Sequence, residues 1–303
     1  MDETEWVSAH AFHQADLDRL IVRAVAPLVT ELGAERLMER YFFLRYWDGG
    51  PHLRLRVLPR DAAARGRVPE LIDDRFRAYF ALAPAAAGQS PGEYARAARE
   101  LALREGVTAY EPLPFPTNTV RYVPYRREHA RYGHGADVEA VERHFDDSSR
   151  IVLDLLVRGL SRDQRAGTGL AMILVAWFAG GRPRGEPPSA GLSSSADVSP
   201  SAGAASSIGM PSSAGVPERV VDLARQMRLL TARASELPAT WPLVGWARSV
   251  SRLARTLETR PDEVLDLCAH LACNRLGVPP PLEGRLRRLA ARAAGTLDEA
   301  VTT

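Results

Sequence analysis

The chain has 303 residues, 39 of them basic and 37 acidic, for a formal net charge of +2. That near balance excludes the strongly cationic surface of a nucleic-acid-binding protein. Every basic residue is an arginine, so a lysine Schiff base, an amine-bound pyridoxal phosphate and a Walker-type phosphate loop are excluded too. Cys268 and Cys273 give no disulfide framework. Residues 1–30 are cut by Asp16, Asp18, Arg19 and Arg23 and hold no signal-peptide core. The apolar run around Ala171–Ala179 is too short to span a bilayer. The expectation is a cytoplasmic protein with no membrane partner, read as a single domain over 1–303.

Residues Trp6–His13 alternate like a strand, with Trp6, Ser8, His10 and Phe12 on one side. Asp16 can cap a helix to about Leu32, kinked at Pro27 and stopped at Gly33. Tyr41–Leu58 follows, two aromatic and branched runs flanking the turn signal Asp48-Gly49-Gly50-Pro51. Arg60–Arg67 reads as a polar connector, and Val68–Leu82 and Pro91–Leu103 as helices. Glu111–Tyr125, with four prolines, must be extended. A helix starts near Asp137, and Ser161 with Gln164 has capping-box spacing before an apolar helix through Trp177. Residues about 182–217 are Gly, Pro, Ser and Ala and read as a disordered insertion. From Glu218 onward the pattern is helical, over 218–236, 242–258, 261–276 and 282–300. Strands first and helices afterwards predict an α+β fold, an N-terminal sheet with packed helices and a helical C-terminal half.

Alternation on the second run of the hairpin puts His52, Arg54 and Arg56 on one face, with Leu53, Leu55 and Val57 opposite. With Arg45 on the neighbouring strand, the first face is a rail suited to a carboxylate or a developing oxyanion. A solvated basic strand face is the alternative. Glu128 and Arg131, three apart, can pair if their segment turns, which would either position the guanidinium or be a surface ion pair. His270 and Asn274 lie on the inner side of an otherwise apolar helix and must find partners. A hydrogen-bonded core histidine is the plainer reading there. Cys268 and Cys273 stand about 140° apart around that helix and make a poor metal pair. Asp146-Asp147-Ser148-Ser149, mid-helix, reads as a solvated face. No catalytic Ser/His/Asp order or dinucleotide glycine fingerprint is present.

FFLRYWDGGPHLRLR, then YRREHARYG with HFDDSS downstream, then AHLACNRLG, come in that order. Together they resemble the C-terminal domain of lantibiotic dehydratases, also found as the stand-alone thiopeptide-type bacteriocin biosynthesis protein. The resemblance runs from Trp6 to about Leu297, apart from 182–217. It implies an enzyme that eliminates glutamate from glutamylated Ser and Thr of a ribosomally made precursor peptide, giving dehydroalanine and dehydrobutyrine. It carries Arg54 and Arg56 over as glutamyl-binding arginines, Arg131 (positioned by Glu128) as a charge stabiliser, and His270 as the acid–base residue. The strand pattern adds Arg45 and His52 as substrate-binding candidates. No cofactor or metal is implied. A separate tRNA-dependent protein is the expected source of the glutamyl group. Two features depart from the family: RYGHG stands where RYGG is more usual, and the 182–217 stretch is extra. The same resemblance takes in the thiopeptide pyridine synthases, which join two dehydroalanines by a formal aza-[4+2] cycloaddition and release the leader peptide. A non-catalytic peptide-binding subunit is the third reading.

Overall fold

A computed structural model describes residues 5–86, 89–181, 216–238, 240–258 and 260–302. Apart from its last two positions, the expected 182–217 insertion lies outside the described residues. Strand β1 (Val7–Phe12) leads into α1 (Leu17–Leu20), a π-turn over Ile21–Val25, and α2 (Ala26–Ala34). The kink expected at Pro27 takes the form of that π-turn. Proline has no N–H to give the preceding turn, and the Ala26 N–H bonds five residues back, to Ile21. The hairpin is β2 (Met38–Tyr46) and β3 (His52–Pro59). Helices α3 (Ala62–Leu82) and α4 (Pro91–Glu105) follow, then β4 (Thr119–Tyr122), inside the stretch expected to be extended.

The connector expected at Arg60–Arg67 is instead the opening of α3. Asp61 accepts the Ala64 N–H at 2.8 Å and starts the helix there. Pro69 sits inside the helix, and its carbonyl accepts the Tyr122 hydroxyl, tying α3 to β4.

All strand pairs are antiparallel, in the order β2-β3-β1-β4. Register places Ala9, Ala11, Tyr41, Phe43, Leu53, Leu55 and Val57 on one face, and all seven are buried. Helix α3 packs on this side, against β1 and β3. The other face carries Ser8, His10, Phe12, Phe42, Tyr46, His52, Arg54, Arg56 and Arg121.

The remaining helices are α5 (His129–Tyr132), α6 (Ala136–Val157), α7 (Arg162–Gly180), α8 (Glu218–Ala232), α9 (Pro242–Thr256), α10 (Pro261–Leu276) and α11 (Pro280–Thr302). Helix α7, opened by the Ser161–Gln164 capping box, packs against each of α8–α11. The fold is therefore the α+β arrangement the sequence predicts, with one hydrophobic cluster running from Trp6 to Leu297.

Helices α6 and α10 meet the sheet along the outer edge of β2. Tyr41 donates its N–H to Asp146 and Phe43 donates to Ser149. Asn274 accepts the Arg45 N–H at 2.9 Å and donates to the Arg45 carbonyl at 3.0 Å. Arg275 donates to the Phe43 carbonyl at 2.8 Å and to Ser148. An edge strand's free main-chain groups are thus satisfied by side chains. This corrects the reading of 146–149 as a solvated face, since Ser148 and Ser149 are fully buried. Asn274→Ala strands both main-chain groups of Arg45 and is expected to cost about 2–3 kcal/mol. The check is a lower urea midpoint at an unchanged m-value.

Candidate functional site

The hairpin turn sets the geometry of the polar sheet face. Gly49 and Gly50 both have positive φ, and a Cβ on Gly49 would lie 2.4 Å from the Phe115 ring. Glycine is required there. The Gly50 carbonyl then accepts from His52 Nδ1 at 2.8 Å, and His52 Nε2 accepts from Arg54 Nε at 3.3 Å. These bonds assign the Nδ1–H tautomer. Burial drops the His52 pKa to about 3, with Arg54 adding to the effect and the Gly50 bond opposing it. His52 is fully enclosed. It therefore steadies Arg54 from beneath, its ring enclosed and not presented at the surface.

The Arg54 guanidinium lies over the Tyr46 ring, 3.4 Å from its centroid. Arg56 sits over Tyr125 at 4.4 Å and over Phe42 at 5.2 Å. No hydrogen bond or ion pair from a described residue reaches Arg56, and its Nε is buried without an acceptor. Burial pulls its pKa down, with Tyr125 opposing. Arg127 grips Glu142 through two 2.8 Å bonds, and Arg287 grips Glu283 and Asp266, whereas the fully buried Arg275 donates to the Phe43 carbonyl and Ser148 and to no carboxylate. A desolvated cation lacking an anion is costly to keep. Arg56 has no carboxylate bonded to it among the described residues.

Arg45 does not belong to this rail. In the register Arg45 opposes Leu53, and directly opposed residues share a face, so its side chain projects to the other side of the sheet. There it pairs with Asp18 at 2.5 Å and donates to the Arg275 carbonyl. Asp18 also pairs with Arg165. Burial pushes the Asp18 carboxyl up, but the two guanidiniums outweigh it and hold it below the ordinary range. Glu283 is held low in the same way, burial being outweighed by His270 and Arg287. A folded-state pKa below the unfolded value adds stability that is present above the unfolded pKa and lost as pH falls through the folded one. Tm is therefore expected to be flat at neutral pH and to fall below about pH 4, and Asp18→Asn should flatten that acid limb.

Glu128 and Arg131 pair across α5 at 3.2 Å, each about half exposed. Glu128 lies near enough to Arg56 to act on its charge. The segment is anchored by the Arg127–Glu142 pair one residue away, only 8% and 0% exposed. His270, on α10, bonds to both carboxylate oxygens of Glu283, at 2.9 and 3.1 Å. Glu283 is fixed by Arg287, Arg287 by Asp266, and Asp266 accepts the Trp177 indole N–H at 2.7 Å. With the carboxylate on Nδ1, Nε2 is the ring nitrogen not engaged by Glu283. No hydrogen bond or ion pair between described residues joins His270 to Arg56 or Arg131.

His10 was not singled out as a site residue from the sequence. It opposes Arg54 in the register and stacks on His52 at 5.0 Å. Burial, then Arg54, His52, Arg56 and Arg121, drives its pKa to about 2, so it is neutral. Its place in the Trp6/Ser8/His10/Phe12 alternation was the available signal.

A Ser/His/Asp group with buried serine and histidine and a partly exposed aspartate lies elsewhere, between α6 and α9. His144 Nδ1 is 2.9 Å from the Ser249 hydroxyl, which donates to Asp147 at 2.6 Å. The hydroxyl proton goes to the aspartate rather than the imidazole, so this is no nucleophile relay. Both cysteines are buried and their thiol pKa values pushed up, Cys268 to about 12. Among the described residues no three His, Cys, Asp or Glu side chains converge as a metal site, and no helix is long and apolar enough to cross a membrane.

Comparison with curated proteins finds no match. Among solved structures the chain is similar to TbtD, a pyridine synthase from thiomuracin biosynthesis. The TM-score is 0.70 at 18% identity, with 98% of this chain and 99% of that one covered. It is also similar to MibB, a tRNA-dependent lantibiotic dehydratase from Microbispora sp. 107891, with TM-score 0.66 and 19% identity. That match covers 100% of this chain but 29% of MibB. TsrL matches at TM-score 0.57 and 13% identity, over 99% and 96% of the two chains. At these identities the likeness speaks to the fold. The family model for the C-terminal part of lantibiotic biosynthesis dehydratases matches residues 6–294, and the chain belongs to that family.

Proposed function

We propose that the chain releases glutamate from O-glutamyl Ser and Thr residues of a precursor peptide, as the elimination component of a dehydratase. The observation that carries this reading is Arg56, a half-buried guanidinium over two aromatic rings whose buried Nε has no acceptor among the described residues. Family membership supports a role in making ribosomally synthesised, modified peptides. Within that role, the leaving group of an O-glutamyl ester is an anion.

The chemistry assigns work to each group. A base takes the α-proton beside the peptide carbonyl, and charge builds on the carbonyl oxygen as an enolate. The Cβ–O bond then breaks, a C=C bond forms, and glutamate departs as a carboxylate. Arginine is too weak an acid to act as a base at neutral pH, but it holds carboxylates and enolates well. Arg56 and Arg54 hold the glutamyl group, and Arg131, held by Glu128, stabilises charge. His270, oriented by Glu283, moves the proton. The glutamyl group is put on beforehand by a tRNA-dependent glutamylation step.

End-to-end overlap with TbtD favours a second reading, cycloaddition between dehydroalanines with leader release. Mass spectrometry separates the two. Purified protein is given one peptide carrying O-glutamyl serine and another carrying only dehydroalanines. Loss of glutamate from the first is the expected result. Ring formation with leader release from the second moves the chain to the cycloaddition reading, and no change in either leaves a binding subunit.

A further inference from the structure

Strand β1 brings a second set of polar groups to the face that holds Arg56. Ser8 stands directly opposite Arg56 in the register. Trp6, two residues earlier, packs edge-on against Phe42 at 5.1 Å and Tyr125 at 5.8 Å. These are the two rings over which Arg56 lies. Trp6 Nε1, Ser8 Oγ and Arg56 Nε are all buried, and none has a hydrogen-bond partner among the described residues. Trp6 is 6% and Ser8 5% exposed.

Three such orphans in one cluster are unusual, because a buried donor left unpaired costs about 1–3 kcal/mol. Their chemistry is one-sided. Indole and guanidinium N–H groups only donate, and a serine hydroxyl can donate as well. No carboxylate of a described residue bonds to any of them. What the cluster lacks is an acceptor with several lone pairs and a negative charge to meet the guanidinium. A carboxylate has both: two oxygens with about four acceptor directions.

We infer that Trp6, Ser8 and Arg56 form a carboxylate-binding subsite, with the Trp6 indole N–H, the Ser8 hydroxyl and the Arg56 Nε–H donating to one carboxylate group. Naming that group as a glutamyl carboxylate rests on the elimination reading; the subsite itself does not. Phe42 and Tyr125 form the apolar wall that strengthens these bonds by excluding water.

The test uses the full chain and glutarate as the probe, with its neutral diamide as the control. Titration is followed by calorimetry and by the indole N–H resonances, Trp6 being assigned by its loss in Trp6→Phe. Glutarate is expected to move the Trp6 resonance downfield, and the diamide is not. Ser8→Ala, a small change in volume, should weaken glutarate at least fivefold with Tm unchanged. Trp6→Phe should weaken it similarly, and Arg56→Met should remove binding. A stationary Trp6 resonance, or Ser8→Ala binding glutarate as the parent does, overturns the subsite. A donor set satisfied by a fixed water gives the same stationary resonance.

Turnover of the O-glutamyl peptide keeps this result separate from the elimination reading. Ser8-dependent glutarate binding in a protein that releases no glutamate retains the subsite and ends that reading. Glutamate release at an unchanged rate in Ser8→Ala overturns the subsite alone.

Discussion

Arg56→Met is expected to lower kcat/KM for glutamate release at least about 1,000-fold, roughly 4 kcal/mol of transition-state stabilisation. The folded state should lose no more than about 2 kcal/mol, since removing a largely desolvated cation with no bonded carboxylate offsets part of the lost contact. The two ring contacts, worth about 0.5–1 kcal/mol each, set the limit on the loss. Activity falling much further than stability is the signature of a group kept for an incoming anion. Steady-state kinetics on an O-glutamyl peptide beside a melting curve reads both. A variant that loses activity only as far as it unfolds removes Arg56 from the site. Arg56→Lys should rescue little, because an ammonium cannot lie flat over Tyr125 and donate from Nε.

The second large effect lies at Arg127. Glu142 has no exposure, and Arg127 meets it through two 2.8 Å bonds. Arg127→Ala leaves that carboxylate in the interior without its cation, a change that costs about 3–5 kcal/mol. Replacing both partners with apolar side chains of similar volume, Arg127→Met with Glu142→Leu, should recover most of the loss. Denaturant midpoints of the two single variants and the double variant give the coupling directly. Because Arg127 adjoins Glu128 in the segment that leads to Arg131, the single variant should also loosen the Glu128–Arg131 pair and slow turnover. Additive losses in the double variant would mean that the pair contributes little to folding.

Much of the fold was legible because periodicity and end signals agreed. The 3.6-residue pattern and the Ser161–Gln164 box gave α7, and the Gly-Gly-Pro turn gave the hairpin. What failed depended on partners distant in sequence. Arg45 was placed on the rail because alternation within a strand does not reveal the register between strands. Only the Arg45–Leu53 pairing puts it on the far side. His52 was assigned to the correct face, but its enclosure by His10, Phe12 and Tyr46 depends on β1 and β2 lying beside it. Asp146 and Ser149 read as solvent-facing because a helical pattern cannot announce that a strand edge lies alongside.

The late AHLACNRLG stretch shows the same division inside one motif. Asn274 and Arg275 bind the main chain of β2, while His270 of the same helix binds Glu283. A compact run of residues thus serves two neighbouring elements, β2 and α11. The resemblance named the stretch without separating those duties.

The side-chain bonds along β2 act as a gauge of alignment. Tyr41, Phe43 and Arg45 alternate, and each presents its main-chain N–H outward to a partner on α6 or α10. A slip of one residue turns these groups inward and leaves all three partners empty-handed. Those partners lie 105, 106 and 229 positions further along the chain. The hairpin can therefore pair early on local contacts, but its alignment is verified only when the C-terminal helices arrive. Such long-range closure is slow. A nascent chain holding the strands without α10 carries an open β-edge, so its need for protection during synthesis ends only when α10 has emerged.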